Sequence, residues 1–305
     1  MNTKTDLQAF LRQQHLPPSF EETVIAWYLP FAGLLARHQA AFGRPLLVGL
    51  NGSQGSGKST LTALLVQLLA DDHGLRAIDL SIDDFYLSRQ SRQLLASQVH
   101  PLLATRGVPG THDVSLLLET LQQLARTNAT VAVPRFDKAS DDRLPESEWE
   151  QVTAPFDVVI VEGWCMGTPA QSDEALHRPV NELEAAEDPD GSWRRYINRQ
   201  IHEQYQALYD LMDLWIMLLA PSFEYVHKWR SEQENKLADS LRKQGKDVYR
   251  DTQVMTDKQL SRFIQHYQRL TEHALAELPG QVNYLFRLDA DRNITAQEQP
   301  NPVRL

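Results

Sequence analysis

The 305-residue sequence lacks the features that place a chain in a membrane or in an oxidising compartment. It holds one cysteine, Cys165, which excludes a disulfide framework and a cysteine-rich zinc site. No run of about 18 apolar residues is present, and the N-terminal stretch has no unbroken apolar core of the kind that signal peptides carry. We therefore expect a cytoplasmic protein with no membrane partner.

An excess of positive charge is also missing. The chain has 30 Lys and Arg residues against 40 Asp and Glu residues, which gives a formal net charge of −10 at pH 7. General nucleic-acid binders present net basic charge or a basic stripe. The composition thus argues against a nucleic-acid partner and leaves local phosphate binding open.

Short apolar runs alternate with amphipathic segments along the chain. The pattern predicts strands at 46–50, 75–82, 130–133, 156–161 and 284–288, and helices at 20–42, 60–70 and 114–126. The run at 211–219 fits a helix or a strand, and its short length and the following Pro221 favour a strand. Strands that alternate with helices imply parallel crossover connections. We expect a single α/β domain over residues 1–305, with a mostly parallel, doubly wound sheet and helices on both faces. Residues 1–44 are expected to form a helical segment that packs against this sheet.

Two stretches fit the alternating pattern poorly. Residues 168–195 are polar and acidic, and we interpret them as an exposed excursion. Residues 236–256 are polar and rich in Lys and Arg between two predicted helices. We interpret this second stretch as a lid that closes over a site and excludes water.

The strongest motif is GSQGSGKS, from Gly52 to Ser59, which fits G-x-x-x-x-G-K-[ST] in full. An apolar strand is predicted before it and a helix after it. Glycines let the backbone turn so that successive N–H groups face phosphate oxygens, and the helix N-terminus adds partial positive charge. The motif predicts a bound nucleoside triphosphate, with Lys58 at its β- and γ-phosphates and the Ser59 hydroxyl on Mg²⁺. The predicted nucleotide-binding residues are Gly52, Ser53, Gln54, Gly55, Ser56, Gly57, Lys58, Ser59 and Thr60.

Two adjacent carboxylates, Asp83 and Asp84, follow the second predicted strand. The C-terminal ends of parallel strands are where α/β sheets place their ligands. A carboxylate beside a γ-phosphate can accept the proton of an attacking hydroxyl, although an Asp pair also serves as a helix cap or a turn. Because side chains alternate along an extended segment, we expect one of the two to face the cleft.

A third acidic position, Glu162, ends the apolar run FDVVIV and is followed by Gly163. In phosphate-loop enzymes an acid at this place is a second Mg²⁺ anchor. The alternative is an ordinary turn at a strand end, which Gly163 suits equally well. In combination with the phosphate loop, the pattern favours the metal-binding interpretation.

In this order, the phosphate loop, SIDDFYL from Ser81 and VEGW from Val161 resemble the kinase group of phosphoribulokinase, uridine kinase and bacterial pantothenate kinase. Three further segments, HPLLATRGVPGTHD (100–113), VPRFDK (133–138) and WRSEQE (229–234), are similar to D-glycerate 3-kinases of the plant and fungal type and their bacterial relatives. The resemblance implies a P-loop fold and Mg²⁺-dependent transfer of the γ-phosphate of ATP to a hydroxyl. The implied acceptor is D-glycerate, and the implied product is 3-phosphoglycerate.

The resemblance also implies roles for individual residues. Asp83 matches the catalytic carboxylate, with Asp84 as a structural neighbour, and Lys58 and Arg230 would offset charge on the phosphates. The implied metal-associated residues are Ser59, Asp83 and Glu162. The implied acceptor-binding residues are Tyr86, Arg106, His112, Asp113, Arg135, Asp137 and Lys138.

The acceptor itself stays open at this point. A carboxylate acceptor calls for the forked guanidinium that Arg106 or Arg135 offers, whereas a nucleoside calls for a stacking slot such as Phe85, Tyr86 and Phe136. A pantothenate-like molecule, a pentose phosphate and a regulatory protein that binds ATP without transferring phosphate are further alternatives. The sequence indicates neither the oligomeric state nor a preference for ATP over GTP.

Overall fold

The computed structural model describes residues 3–125, 129–243 and 255–303. Within these ranges the strands are β1 Leu46–Gly52, β2 Ala77–Ser81, β3 Thr130–Val133, β4 Phe136–Asp137, β5 Asp142–Arg143, β6 Glu150–Thr153, β7 Val158–Gly163, β8 Leu214–Leu219, β9 Tyr284–Leu288 and β10 Ile294–Glu298. The helices are α1 Leu7–Gln13, α2 Phe20–Thr23, α3 Leu29–Phe42, α4 Lys58–His73, α5 Arg89–Gln98, α6 Val114–Leu124, α7 Glu182–Glu187, α8 Ser192–Gln200, α9 Gln206–Tyr209, α10 Phe223–Lys243 and α11 Asp257–Glu277.

A six-stranded sheet with the order β10-β9-β8-β1-β7-β2 forms the centre of the fold. Strands β2, β7, β1, β8 and β9 are parallel, and β10 joins the edge antiparallel to β9. Strand β7 lies between β1 and β2, so the carboxyl ends of these three strands meet at one edge. The mostly parallel sheet is confirmed. The edge strand β10 was not predicted, and the predicted strand at 130–133 pairs with β6 in a separate two-stranded sheet.

Helices cover both faces of the sheet. Alternate residues of β7 divide between two apolar layers, with Val158 and Ile160 in one and Val159 and Val161 in the other. The first layer includes residues of α3 and α4, and the second includes residues of α6, α8 and α11. The alternation follows from the two-residue period of a strand that is buried on both sides. The doubly wound architecture is therefore confirmed.

The N-terminal segment is helical and packs on the sheet. Helix α2, a π-helical turn over Val24–Tyr28 and helix α3 follow one another without a break, as the apolar period over 20–42 predicted. The stretch ends at Gly43, whose φ of 63° is in the left-handed region that favours glycine. Phe31 makes edge contacts with Tyr284 and Phe286 of β9, at 5.1 Å between ring centroids in each case.

The segment 168–195 is exposed over most of residues 172–182, as its composition suggested, but its later part packs on the fold. It contains α7 and the start of α8, and Leu183, Glu184 and Trp193 are buried. The Arg269 guanidinium of α11 donates to both Glu184 oxygens, at 2.8 and 2.7 Å. Glu184 is thus paired with a cation 85 residues away in the sequence, which a local charge count does not reveal.

The predicted lid at 236–256 is described only at its ends. Residues 236–243 continue α10. The side chain of Thr256 accepts from the Gln259 N–H and caps α11. Residues 244–254 of the predicted lid lie outside the described residues. Among the described helices, none has both the length and the apolar character needed to cross a membrane.

Candidate active site

The phosphate loop connects β1 to α4 at the carboxyl edge of the sheet. Gly55 has a φ of 78°, and a Cβ there would lie 2.8 Å from Trp229 Cβ. Gly57, with a φ of 93°, stands at the N-cap of α4. Other residues would strain the backbone at both positions. The loop therefore exposes main chain, rather than bulky side chains, in front of the helix N-terminus.

Several polar groups of this loop have no partner within the described part of the chain. They are the hydroxyls of the buried Ser53 and Ser56 and the Nε2 amide group of Gln54. Lys58 Nζ donates to the Ser53 carbonyl at 3.3 Å and lies 3.9 Å from Glu162 Oε2. Buried polar groups in native proteins are normally satisfied. These donors, together with the helix N-terminus, fit the oxygens of a phosphate chain.

Glu162 stands near the end of β7, beside Ser81 of β2 in the sheet register. Its Oε1 accepts from the Ser59 hydroxyl at 2.7 Å. Burial raises the pKa of Glu162, and the charge of Lys58 opposes this shift. A hydroxyl and a carboxylate in contact are oxygen ligands of the type that Mg²⁺ takes, so these residues fit the metal.

Asp83 lies in the 3₁₀ turn Ile82–Phe85 that follows β2. Its Oδ1 accepts from the Tyr86 hydroxyl at 2.7 Å, and its Oδ2 accepts from Lys138 Nζ at 2.8 Å. Burial acts to raise the pKa of Asp83, but the charge and hydrogen bond of Lys138 and the Tyr86 hydroxyl outweigh it and lower the pKa to about 2. The Asp83 carboxyl group is therefore ionised at neutral pH.

Asp84 is directed to different partners. Its carboxylate accepts from Arg135 Nη1 and from the Phe136 N–H, both at 3.1 Å. Burial raises the pKa of Asp84, and these two bonds counteract the shift. The neighbouring carboxylates thus divide between the cleft and the scaffold, although they lie in a 3₁₀ turn and not in the extended segment from which this division was predicted.

A cavity of about 350 Å³ opens between the phosphate loop and Asp83. Among the described residues that line it, the basic side chains are Lys58, Arg106, Lys138 and Arg230, and the carboxyl side chains are Asp83 and Glu162. In a chain with a formal net charge of −10, this local excess of cations favours anionic ligands. We call this space the acceptor cavity.

Three residues predicted to bind the acceptor line this cavity: Tyr86, Arg106 and Lys138. Arg106 is ion-paired with Asp141, and its guanidinium lies 5.4 Å from the ring centroid of Phe136. The predicted phosphate-side cation Arg230 also reaches the cavity from α10. It bonds Glu234 Oε2 at 2.8 Å.

Other predicted acceptor residues lie outside the cavity, and the prediction is corrected for them. Arg135 is committed to Asp84 and, at 2.6 Å, to Glu150 Oε2. Asp113 caps α6 by accepting from the Leu116 N–H at 3.1 Å. Asp137 accepts from the N–H groups of 139 and 140, at 2.9 and 3.0 Å, in an exposed turn. These polar side chains hold the local backbone and neighbouring loops.

His112 is also outside the cavity, behind Tyr86. Its ring stacks on the Tyr86 ring with 4.5 Å between centroids, and its Nδ1 lies 2.5 Å from the Tyr205 hydroxyl. Burial lowers the pKa of His112 to about 4. The stacking slot suggested by Phe85, Tyr86 and Phe136 does not form, because Phe85 and Phe136 do not line the cavity.

Helix α11 supplies an aromatic wall that the sequence analysis missed. Phe263 and Tyr267 both line the cavity, and the Tyr267 hydroxyl donates to the Arg106 carbonyl at 3.2 Å. Their spacing of four residues places them on one face of the helix. The four-residue spacing of Phe263 and Tyr267 is visible in the sequence, but nothing there shows that this face of the helix meets the carboxyl edge of the sheet.

Comparisons with known proteins agree with this geometry. Residues 47–226 match the Phosphoribulokinase / Uridine kinase family. An uncharacterised kinase of Schizosaccharomyces pombe, mug58, is 31% identical over 254 residues, which cover 79% of this chain and 85% of that protein. The chloroplastic D-glycerate 3-kinase of Arabidopsis thaliana is 28% identical over 85% of this chain, which spans 54% of that protein. The structure of D-glycerate 3-kinase from Cryptococcus neoformans superposes with a TM-score of 0.72 at 28% identity, covering 89% of this chain and 98% of that one.

Proposed function

Because this chain belongs to the phosphoribulokinase and uridine kinase family, we propose that it transfers the γ-phosphate of ATP to D-glycerate, giving 3-phosphoglycerate. Kinase activity with ATP and Mg²⁺ follows from the family, and the acceptor is the proposed part. Two of the relatives described above are named D-glycerate 3-kinases.

One observation carries the proposal. A single small cavity is lined by the phosphate-loop residue Lys58, the charged carboxylate of Asp83 and the guanidinium of Arg106. D-glycerate has a carboxylate and two hydroxyls. A guanidinium fork matches a carboxylate, and a charged carboxylate matches a hydroxyl that is to lose its proton. The excess of cations in the cavity favours this anion over a neutral nucleoside.

We assign the proton transfer to Asp83. The acceptor hydroxyl donates its hydrogen bond to the Asp83 carboxylate, which aligns the oxygen for in-line attack on the γ-phosphorus. A carboxylate with a pKa of about 2 is a weak base. In a loose phosphoryl-transfer transition state the proton leaves late, so positioning matters more than basicity. Tyr86 and Lys138 hold the carboxylate in place through the hydrogen bonds described above.

We assign the offset of phosphate charge to Lys58, Arg230 and Lys138, which line the cavity. Ser59 and Glu162 would hold Mg²⁺, with Asp83 near them. When bound, the metal neutralises charge on the β- and γ-phosphate oxygens. Trp164, Phe263 and Tyr267 would keep water from the γ-phosphate and so suppress hydrolysis of ATP.

The proposal is tested by coupled ADP release with ATP and Mg²⁺ against a panel of acceptors. The panel contains D-glycerate, L-glycerate, uridine, pantothenate and ribulose 5-phosphate. We expect turnover with D-glycerate well above that with any other member. Turnover with uridine, pantothenate or ribulose 5-phosphate instead would keep the kinase and reject the glycerate assignment. ATP binding with no acceptor-dependent turnover would favour a regulatory ATP-binding protein.

A further inference from the structure

A second and larger cavity, of about 550 Å³, lies on the phosphate loop. It shares Gly55 and Gln233 with the acceptor cavity, but Asp83, Arg106 and Lys138 do not line it. The loop itself divides between the two spaces. Lys58 faces the acceptor cavity, while Ser56 and Thr60 face the second one. A ligand whose phosphates lie on the loop would therefore extend into both.

The N-terminal segment forms one wall of this second cavity. Its contribution includes the apolar Leu16, Pro17 and Phe20 and the polar Ser19 and Thr23. All of them precede residue 47, where the match to the family begins. The wall is held to the fold because Leu16 and Phe20 pack on the buried apolar layer that contains β1.

Another wall is the loop between β9 and β10, where Arg292 is fixed against the phosphate loop. Its Nε donates to the Gly55 carbonyl at 2.9 Å, and its Nη2 bonds Glu232 Oε2 at 2.6 Å. The guanidinium lies 5.2 Å from the ring centroid of Trp229. Arg292 adopts a φ of 70°, in the left-handed region that non-glycine residues rarely occupy. The wall is thus held in place beside the glycines that face the phosphates.

The two cavities differ in the side chains that they would offer to a nucleotide. In the acceptor cavity a base would occupy the space beside Asp83, Arg106 and Lys138 and desolvate these charged groups. The second cavity offers Leu16, Pro17 and Phe20 to the faces of a base, and Thr23 and Asn293 to its polar edge or to a ribose. Glu22, Glu232, Asp291 and Arg292 line the same space, so its walls combine apolar and charged side chains. The hydroxyl of Ser56, buried and without a partner in the described part of the chain, also lines this space.

We propose that the second cavity binds the base and ribose of the nucleotide, and that the residues of the N-terminal segment that line it, Leu16, Pro17, Ser19, Phe20 and Thr23, are a nucleotide-binding element of this chain. The inference rests on the proposed function only in taking the phosphate loop to bind a nucleoside triphosphate. It makes no use of the identity of the acceptor. It adds to the family core an element from outside the matched residues 47–226.

The test separates the base from the phosphates by using inorganic triphosphate as a second probe. Ser19 and Thr23 lie four residues apart on the wall, and Ser19 makes no side-chain cap hydrogen bond. Ser19→Trp and Thr23→Trp each fill the cavity. Ile25→Trp is the matched control, because Ile25 is 46% exposed and does not line the cavity. Calorimetric titrations with Mg²⁺ measure the Kd of ATP and of triphosphate for each folded variant.

We expect both cavity variants to raise the Kd of ATP by about tenfold, a loss of about 1.4 kcal/mol of binding free energy. The Kd of triphosphate should stay within twofold, and Ile25→Trp should change neither value. An unchanged Kd of ATP in both cavity variants would overturn the inference. So would an equal loss for triphosphate, since the segment would then act on the loop. A wild-type protein that binds neither probe would instead refute the proposed function.

Discussion

In each of two pairs of chemically alike residues, one side chain lines the acceptor cavity and the other binds groups of the surrounding fold. Asp83 faces the acceptor cavity while Asp84 binds Arg135, and Arg106 lines the cavity while Arg135 does not. Residue type alone does not separate the members of either pair. Their hydrogen-bond partners do, and each pair therefore supplies a variant and its matched control.

Arg106 should determine affinity for the acceptor. We expect Arg106→Gln to raise the KM for D-glycerate by about 10- to 100-fold, since a hydrogen bond to a charged group contributes about 1.5 to 3 kcal/mol. The KM for ATP should change little. Arg135→Gln should leave both KM values near those of the wild type. Steady-state kinetics with each substrate varied in turn provide the measurement, and a larger acceptor effect from Arg135→Gln would contradict the assignment.

At the scale of elements, helix α11 links the segment 168–195 to the active site. One face carries Phe263 and Tyr267 into the acceptor cavity, and Arg269 on the same helix is buried against Glu184. Asn181 also donates to the Gln265 carbonyl at 2.9 Å. The acidic segment therefore holds the helix that forms the aromatic wall.

Removing one partner of the buried Glu184–Arg269 pair should destabilise the fold strongly. We expect Glu184→Gln to lower the free energy of unfolding by about 3 to 5 kcal/mol, because it leaves the Arg269 charge buried without its counter-ion. Glu187 lies on the same helix, α7, and pairs with Arg262 at 2.6 Å in an exposed position. Glu187→Gln should therefore cost less than about 1 kcal/mol. Urea unfolding compares the two variants, and equal losses would refute this view of the pair.

A buried histidine on α11 should make stability depend on pH. His266 is buried against Trp193, with 5.8 Å between ring centroids, and burial lowers its pKa from 6.5 to about 4. Between these values the unfolded chain binds the proton and the folded one does not. Stability due to this residue is thus complete above about pH 6.5 and is lost as pH falls towards 4.

This loss can be isolated with His266→Gln, which cannot titrate. Between pH 7 and pH 5 the wild type should lose about 2 kcal/mol more free energy of unfolding than the variant. Urea unfolding at the two pH values gives the difference. Parallel losses in both proteins would show that His266 does not titrate in this range.

At the scale of the whole molecule, the sequence predicted the parts of the fold that depend on local period. Buried parallel strands are short apolar runs, so β1, β7, β8 and β9 were predictable, and the phosphate loop has a fixed spacing. Strand order was not predictable, because β7 inserts between β1 and β2 through contacts distant in sequence. The aromatic wall of α11 and the burial of Glu184 were not predicted either, because they too depend on contacts distant in sequence.

The predicted site residues also divide into those that line the cavity and those that do not. Lys58, Asp83 and Arg230 were found from motifs or from the resemblance, and the structure brings them to one cavity. Asp113 and Arg135 lie in segments that match the family, yet neither side chain enters the cavity. Asp113 caps a helix, and Arg135 pairs with Asp84. A motif match gives the position of a residue in the chain but not the direction of its side chain.

The most direct test of the account compares D-glycerate-dependent ADP release by the wild type, Asp83→Asn and Asp84→Asn. Loss of a positioned proton acceptor costs about 10²- to 10⁴-fold in rate. We predict a fall of this size in kcat for Asp83→Asn, with the Kd of ATP retained, and a kcat near that of the wild type for Asp84→Asn. A kcat for Asp83→Asn within a few-fold of the wild type, or an equal fall in both variants, would contradict the account.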